Sequence, residues 1–304
     1  MYTELLEEFA GLPVQEFDLA EDWRGPEMAY RIWQAFDDEV TISQRLHRLL
    51  EQPGSEDLTA LVVGGWEGIA EGASTEAIVK ELVEAARRLP KLRALFLGDV
   101  TYEECELSWI KHPDVSPLLA AWPALEIFRV RGSEELAFSR VRHEGLRELA
   151  VESGGLPRAL LRQIFSLDLP NLEHLELLLG EANYGFDGDV SDLQPLLSGA
   201  LFPRLKFLGL MNSEIADEIA AVVVNAPIVD RIETLDLSLG NMTDEGVRAL
   251  RALAGKRNLK RLNLSHHYAS TRQIKALQKA LSCEVVADDP QEAEDDFRPI
   301  MHAE

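Results

Sequence analysis

Two adjacent segments share one pattern, IETLDLSLGNMTDEGVRALRALAGKRN at 232–258 and LKRLNLSHHYASTRQIKALQKALSC at 259–283. Each opens with the spacing L-x-x-L-x-L, in which apolar and polar residues alternate as in a strand with one buried face. Each continues with apolar residues at helical spacing. Thr243 and Ser270 precede these helical stretches, where their hydroxyls can accept hydrogen bonds from backbone N–H groups. The repeating unit is therefore a strand, a loop and a helix.

The L-x-x-L-x-L pattern occurs eight times along the chain. Its copies begin at residues 58, 92, 125, 146, 172, 205, 232 and 259, so the intervals are 34, 33, 21, 26, 33, 27 and 27 residues. These intervals straddle the roughly 20 to 29 residues that are typical of leucine-rich repeats. A unit of this size cannot bury its apolar side alone, so neighbouring units must stack. We predict an α/β fold, a leucine-rich-repeat solenoid with a curved parallel sheet on its concave face and helices on its convex face.

The regions outside the repeats have other patterns. Residues 1–57 are expected to cap the first repeat, with a strand at 28–36 and a short helix at 41–50. The solenoid is expected to span 58–287 and to close with a strand from Cys283 to Ala287. The acidic segment 288–304 is poor in packing residues, so we expect it to be disordered.

Helical spacing also marks 75–89 and 213–226. Thr75 and Ser213 stand at the start of these stretches, where N-caps are expected.

The chain has 53 acidic and 30 basic residues and a formal net charge of −23. Residues 1–23 and 284–296 each hold seven acids and no Lys or Arg, whereas 246–283 hold nine bases and no acid. This acidity argues against an extended nucleic-acid interface, which requires basic residues to neutralise phosphates. The basic block is either a solvated convex surface or a contact for phosphate or an acidic protein.

The sequence predicts a soluble cytoplasmic protein. No stretch approaches the roughly 18 uncharged apolar residues of a membrane span, so no membrane partner is expected. Residues 1–18 lack the basic and apolar regions of a secretory signal. Cys105 and Cys283 lie far apart and have no metal-type spacing, so we expect reduced thiols.

The two quoted repeats resemble the long-helix leucine-rich repeats of ribonuclease inhibitors and GTPase-activating proteins, and this resemblance covers 58–286. A narrower resemblance, to a family of bacterial cytoplasmic leucine-rich-repeat proteins without an assigned activity, rests on four segments. These are LFLGDVTYEECELSWI (95–110), SEIADEIAA (213–221), LDLSLGNMTDEG (235–246) and HHY (266–268). The resemblance implies a gene neighbourhood with radical-SAM and ATP-grasp-like enzymes, and hence an accessory protein of a modification pathway.

The odd positions of each motif are expected to point into the concave face and to bind a partner. The residues are Phe96, Arg129, Arg131, Glu148, His174, Glu176, Phe207, Met211, Asp236, Arg261 and Asn263. Phe96, Arg129, Phe207 and Met211 are the expected anchors, because aromatic residues, Met and Arg are enriched at interfaces. The alternative is a solvated sheet whose exposed ion pairs each contribute little.

Two loops, at 98–117 and 180–192, and the strand end at 266–267 contain further candidate residues. Cys105 stands beside glutamates, which should raise its pKa and argue against a nucleophile; Trp109, in the same loop, is either buried or available for binding. The loop 180–192 holds Asp187, Asp189 and Asp192 without a base nearby, and we interpret it as an acidic surface turn rather than a metal site. His266 and His267 are adjacent on a strand end, so they point to opposite faces and are poorly placed to share a metal.

The leading functional hypothesis is a non-catalytic, monomeric scaffold that binds a protein or peptide and needs no cofactor. A second hypothesis is regulation of a nucleotide-hydrolysing enzyme, in which Arg129, Arg131 or Arg261 would stabilise phosphate charge. The third is an unrecognised hydrolase, although the sequence holds neither G-x-x-x-x-G-K-[ST] nor G-x-S-x-G.

Overall fold

The computed structural model describes residues 4–35, 38–295 and 297–302, which form two compact units. Among the described residues, the N-terminal unit consists of 4–35 and 38–151 with Leu167–Leu169, and the C-terminal unit of Glu152–Ser166 with 170–295 and 297–302. Each unit has a mostly parallel sheet, in which strands follow one another in chain order, together with helices. Both units therefore have an α/β architecture.

The N-terminal unit begins with an antiparallel hairpin and continues with parallel strands. Its strands are β1 (Glu8–Phe9), β2 (Leu12–Glu16), β3 (Ala29–Ile32), β4 (Ala60–Val63), β5 (Ala94–Leu97), β6 (Ile127–Arg131) and β7 (Glu148–Glu152), the last of which ends at the unit boundary. Its helices are α1 (Ile42–Leu50), α2 (Glu76–Ala85) and α3 (Ser116–Ala121).

The C-terminal unit alternates helices with parallel strands. Its strands are β8 (His174–Gly180), β9 (Phe207–Ser213), β10 (Thr234–Asp236), β11 (Arg261–Asn263) and β12 (Glu284–Val286). Its helices are α4 (Arg158–Phe165), α5 (Gln194–Leu197), α6 (Ala216–Val223), α7 (Asp244–Leu250) and α8 (Thr271–Ala280). Within the described ranges of the chain, no helix has both the length and the apolarity to cross a bilayer.

All eight predicted motif strands are confirmed as β4 to β11. The fourth motif positions lie opposite one another across neighbouring strands in each unit: Leu61, Leu95 and Phe128 in the first, and Leu175, Leu208, Leu235 and Leu262 in the second. All seven side chains are fully buried. The repeat therefore sets the strand register, because the apolar face of each motif must meet the same core.

The strands predicted at 28–36 and 283–287 and the helix predicted at 41–50 are confirmed as β3, β12 and α1, each shorter than predicted. Position 36 of the first prediction lies outside the described residues. The helices predicted at 75–89, at 213–226 and after Thr243 are α2, α6 and α7. Each is shorter than its apolar pattern, because the chain changes to a 3-10 turn or a loop near the helix ends.

Thr243 and Ser270 are confirmed as N-caps, and their side chains accept hydrogen bonds from the backbone N–H groups of Glu245 and Gln273. Thr75 occupies the N-cap position of α2, but its hydroxyl contacts His112 instead. Ser213 lies before the cap of α6, and its hydroxyl accepts from the N–H of Ile215.

The two ends of the chain differ from the expectations. The β1–β2 hairpin inside the region 1–57 was not predicted, because strands of two and five residues are too short to show a periodic pattern. In the segment 288–304, expected to be disordered, Ile300 and His302 are 5% and 6% exposed. Backbone hydrogen bonds hold the described part of this segment to distant residues, as from Gln291 to His267 and from Met301 to Leu239, and its composition does not indicate them.

Buried His112 is predicted to make the N-terminal unit sensitive to mild acid. Its Nε2 lies 2.7 Å from the carbonyl oxygen of Arg131 and its Nδ1 lies 2.9 Å from the hydroxyl of Thr75. Burial lowers the pKa of His112 from 6.5 to about 4, although the bond to Arg131 opposes the shift. Between these values the unfolded chain binds a proton that the folded chain does not, so stability is full above pH 6.5 and falls toward pH 4. The loss is about 3 kcal/mol.

Urea unfolding of the wild type and of His112→Gln above pH 7 and near pH 4 measures this effect. Glutamine retains an amide donor for the carbonyl but does not titrate, so the variant should lose about 3 kcal/mol less stability over that range. Equal pH dependence of the two proteins would contradict the prediction.

Candidate binding face

The sheet face of the N-terminal unit is covered by the chain itself. Phe9 in β1 packs against Phe96 in β5, with ring centroids 6.0 Å apart. Both belong to a buried apolar cluster with Ala29, Ala60, Val62 and Ala94, against which Leu6, Leu12, Val14 and Ile127 pack. Phe96 was expected to be an exposed anchor, but it is fully buried because the β1–β2 hairpin lies on it. This face is a second apolar core.

A buried carboxylate fastens the residues before β1 to this core. Asp99 is fully buried, and its Oδ2 lies 2.6 Å from Nη2 of Arg31. The backbone N–H of Leu6 lies 3.3 Å from the same oxygen. Nη1 of Arg131 lies 3.8 Å from Oδ1 of Asp99.

Arg131 was expected to bind a partner, but it is 3% exposed and has internal contacts. Its Nη1 donates to the carbonyl of Val100 over 2.7 Å, and its guanidinium lies 5.3 Å from the centroid of the Phe96 ring. It therefore stabilises this part of the unit and is not available to a nucleotide-hydrolysing partner.

Arg129 and Glu148 lie on the same face and are partly exposed. Their side chains are 22% and 27% exposed, and Nη2 of Arg129 is 3.7 Å from Oε1 of Glu148. The Arg129 guanidinium also lies 5.8 Å from the Phe96 ring centroid. This contact is the kind of ion pair that we expect for the alternative prediction, a solvated sheet. An exposed pair of this kind contributes little stability.

The corresponding face of the C-terminal unit is ordered by strand register. One row across the strands consists of His174, Phe207, Thr234 and Arg261, and the next of Glu176, Gly209, Asp236 and Asn263. We use the name C-terminal sheet face for the expected site residues on it: His174, Glu176, Phe207, Met211, Asp236, Arg261 and Asn263. The tertiary structure thus brings together seven of the eleven expected residues.

An aromatic stack occupies one edge of the C-terminal sheet face. The rings of His174 and Phe207 are parallel within 5° and their centroids are 3.8 Å apart. Nε2 of His174 lies 3.3 Å from Oε2 of Glu176, and these side chains are 27% and 17% exposed. Phe207 and Met211 are half-buried. Gly209 separates them, and a Cβ there would lie 3.1 Å from the Met211 sulfur and 3.3 Å from the Phe207 ring. Because Gly209 has no side chain, Phe207 and Met211 can lie close to each other and still be partly exposed to solvent.

Asp236 and Asn263 have a structural role at the ends of β10 and β11. Oδ1 of Asp236 accepts hydrogen bonds from the N–H and hydroxyl of Ser238 at 2.9 and 2.5 Å, and Oδ2 accepts from Nδ2 of Asn263 at 2.8 Å. Oδ1 of Asn263 accepts in the same way from Ser265. Burial raises the pKa of Asp236, although the bonds from Ser238 and Asn263 oppose the shift. Both turns follow from the sequences D-L-S and N-L-S.

Arg261 is a half-exposed cation of this face. Its side chain is 49% exposed, and Nη1 lies 3.3 Å from Oε2 of Glu284, which is 62% exposed. The contact is an ordinary surface pair, so it offers little resistance to a competing ligand.

The exposure of Cys105 and Trp109 decides between the roles that were expected for them. Burial, together with the smaller effect of the charges of Glu106 and Glu104, raises the pKa of Cys105 to about 11. The expected direction is confirmed, although burial is a larger cause than the neighbouring charges. Trp109 is 55% exposed.

The acidic loop 180–192 has basic neighbours that the sequence does not place near it. Nε of Arg158 lies 3.0 Å from Asp192, and its Nη2 lies 3.6 Å from Asp189. The backbone N–H of Arg158 donates to Asp187, and Arg162 lies 3.3 Å from Asp192. The loop therefore holds the start of α4.

The adjacent histidines have different surroundings. Nδ1 of His266 lies 3.2 Å from Asp289, whereas His267 is buried and accepts a hydrogen bond from the N–H of Ala269. Among the residues the structure describes, no group of three His, Cys, Asp or Glu side chains could hold a metal ion.

Comparison with known proteins gives a structural relative. No protein-family model matches the chain, and no curated protein matches it. A solved structure of a Bacteroides fragilis protein, determined by a structural-genomics consortium, matches with a TM-score of 0.81 and 32% sequence identity. The match covers 90% of this chain and 76% of that protein. The chain belongs to the same family as this Bacteroides fragilis protein.

Truncation of the covered aromatic residues is predicted to destabilise the protein. Phe9→Ala and Phe96→Ala remove buried rings that pack on each other, so each should cost about 3–5 kcal/mol of unfolding free energy. Phe297→Ala is the matched control, because that ring is 63% exposed; its cost should stay within about 0.5 kcal/mol. Urea unfolding measures all three, and a Phe96→Ala protein as stable as the control would contradict the covered face.

Proposed function

We propose that the repeats are leucine-rich repeats and that the chain is a non-catalytic binding protein. Its C-terminal sheet face would hold an extended peptide or protein segment. The observation that supports this proposal is the His174–Phe207 stack, two partly exposed rings on neighbouring strands. Strands fix both rings before a ligand arrives, so little side-chain entropy is lost on binding.

The N-terminal sheet face is less suitable for a ligand. The β1–β2 hairpin covers Phe96, and Asp99 binds Arg31 and Arg131. A partner there would have to displace part of the core, whereas the rings of the C-terminal sheet face are already partly open. We therefore assign binding to the C-terminal unit alone.

The charge of the face indicates the chemistry of its ligand. Glu176 lies beside the aromatic stack, whereas Arg261, on another strand of the face, is paired with Glu284. Complementary charge steers encounter and excludes wrong partners. The best ligand is thus a segment with an aromatic or aliphatic anchor for Phe207 and Met211 and a nearby Lys or Arg for Glu176.

Selection from a display library of random peptides tests this function. Peptides enriched on the wild-type protein should combine an apolar anchor with a basic residue. Loss of an anchor that binds a partner costs about 2 kcal/mol or more, so Phe207→Ala and His174→Ala should each weaken the selected peptides more than tenfold.

Lys275→Ala is the matched control, because Lys275 is exposed on α8 within the basic block. It should leave peptide affinity unchanged, and unfolding midpoints should show that all variants are folded. The proposal fails if the aromatic variants bind as well as the control.

A further inference from the structure

The segment Phe297–His302, which we call the strap, turns back over the C-terminal unit. Glu294 and Phe297 exchange two backbone hydrogen bonds, 3.1 and 2.8 Å long, and so reverse the chain. Ile300 and His302 are then buried at 5% and 6% exposure, whereas Phe297 remains 63% exposed. The C-terminal end of the strap is thus buried, whereas its first residue, next to the turn, is exposed to solvent.

The strap crosses three successive repeats in reverse order. The hydroxyl of Tyr268 donates to the carbonyl of Pro299 over 2.7 Å, beyond the end of β11. The N–H of Met301 donates to the carbonyl of Leu239 over 2.9 Å, beyond the end of β10. These bonds involve the backbone of the strap, so they do not depend on its side chains.

Asn212, near the end of β9, completes the series by pairing with His302. Its Oδ1 accepts from the N–H of His302 at 2.8 Å, and its Nδ2 donates to the carbonyl of His302 at 2.6 Å. Asn212 is fully buried and has a φ of +52°, a conformation that Asn adopts more readily than most residues. A buried amide that engages both backbone groups of one residue is suited to any extended chain, as in strand addition.

Two side chains of the strap, Arg298 and Ile300, lie in surroundings of different chemistry. Phe297 and Arg298 line a cleft of about 510 Å³ in the C-terminal unit. The acids that line the same cleft are Glu181, Glu214, Asp217, Glu218 and Glu245. Burial raises the pKa of Glu214, and Glu181 and Glu218 raise it further, against the N–H of Ala182. The cleft is thus suited to a cation, and the site of Ile300 two residues on is suited to an aliphatic side chain.

We propose that the groove formed by Asn212, Leu239, Tyr268 and the acidic cleft is a docking site for an extended segment of a partner protein. The segment has a basic residue followed two positions later by an aliphatic one, and the strap occupies the groove in cis until it is displaced. The strap fits this role because it buries one aliphatic side chain and leaves Phe297 and Met301 exposed. It can open without unfolding the strands beneath it. This surface is separate from the C-terminal sheet face, so either proposal can fail alone.

Binding of a fluorescent FRPIMHAE peptide, measured by anisotropy, tests the groove. A variant that ends at residue 295 should bind the peptide. The intact chain should bind it about tenfold or more weakly, because the tethered strap competes at an effective concentration in the millimolar range. Equal binding by both proteins, or no binding of the peptide by the folded shortened variant, would overturn displacement.

Matched peptides and variants then test the contacts. Arg298→Glu or Ile300→Ala in the peptide, and Asn212→Ala in the shortened protein, should each weaken binding at least tenfold. Met301→Ala in the peptide is the control and should bind almost as well as the parent, since the Met301 side chain is 39% exposed and its N–H, which donates to Leu239, is unchanged. Binding that is insensitive to Arg298 and Ile300 would exclude the proposed selectivity.

Hydrogen exchange on the intact chain keeps the proposal testable if the shortened variant does not fold. The amides of Met301 and His302 should exchange at least a hundredfold faster than those of Leu208 and Leu235 in β9 and β10. Exchange at the same rate as these strand amides would mean that the strap is a permanent part of the fold. A dimer that exchanges straps, detected by light scattering, would make a second copy the occupant and contradict a separate partner.

Discussion

Register between neighbouring strands is the constraint on which the rest of each unit depends. Leu175, Leu208 and Leu235 lie opposite one another and are fully buried, and Leu61 and Leu95 are arranged in the same way in the N-terminal unit. A slip by one residue would turn every such side chain from the core to the opposite face. The same register places the odd motif positions side by side, and so builds a face from residues of different repeats.

The two faces built in this way differ in their exposure to solvent. In the N-terminal unit, Phe9 covers Phe96, and the face becomes a core. In the C-terminal unit, the His174–Phe207 stack stays partly open beside Met211. One repeat pattern can therefore yield a stabilising surface in one unit and a candidate binding surface in the other. The difference lies in the non-repeat segment that packs on the first face.

Acidic residues have three distinct roles in this protein, although each of them contributes the same unit to the formal net charge. Asp99 neutralises buried arginines, because an unpaired cation there would be strongly unfavourable. Asp236 closes a turn by accepting bonds from Ser238 and Asn263. Glu214 borders an open cleft beside Glu181, where its charge is available to a cation. Burial and hydrogen-bond partners decide which role a carboxylate has.

Local pattern in the sequence determines the strands, the helices and the caps at Thr243 and Ser270, because each depends on residues close together in the chain. The repetition of that pattern then aligns the rows of the sheet face across neighbouring strands. Only the tertiary structure decides which of these residues are accessible. Asp99 meets Leu6 across 93 positions and Asn212 meets His302 across 90, so no local period records either contact. The burial of Phe96 and Arg131 and the ordering of the strap therefore could not be predicted from the repeats. Such long-range contacts form where a segment without a periodic sequence pattern packs on a surface of the repeats.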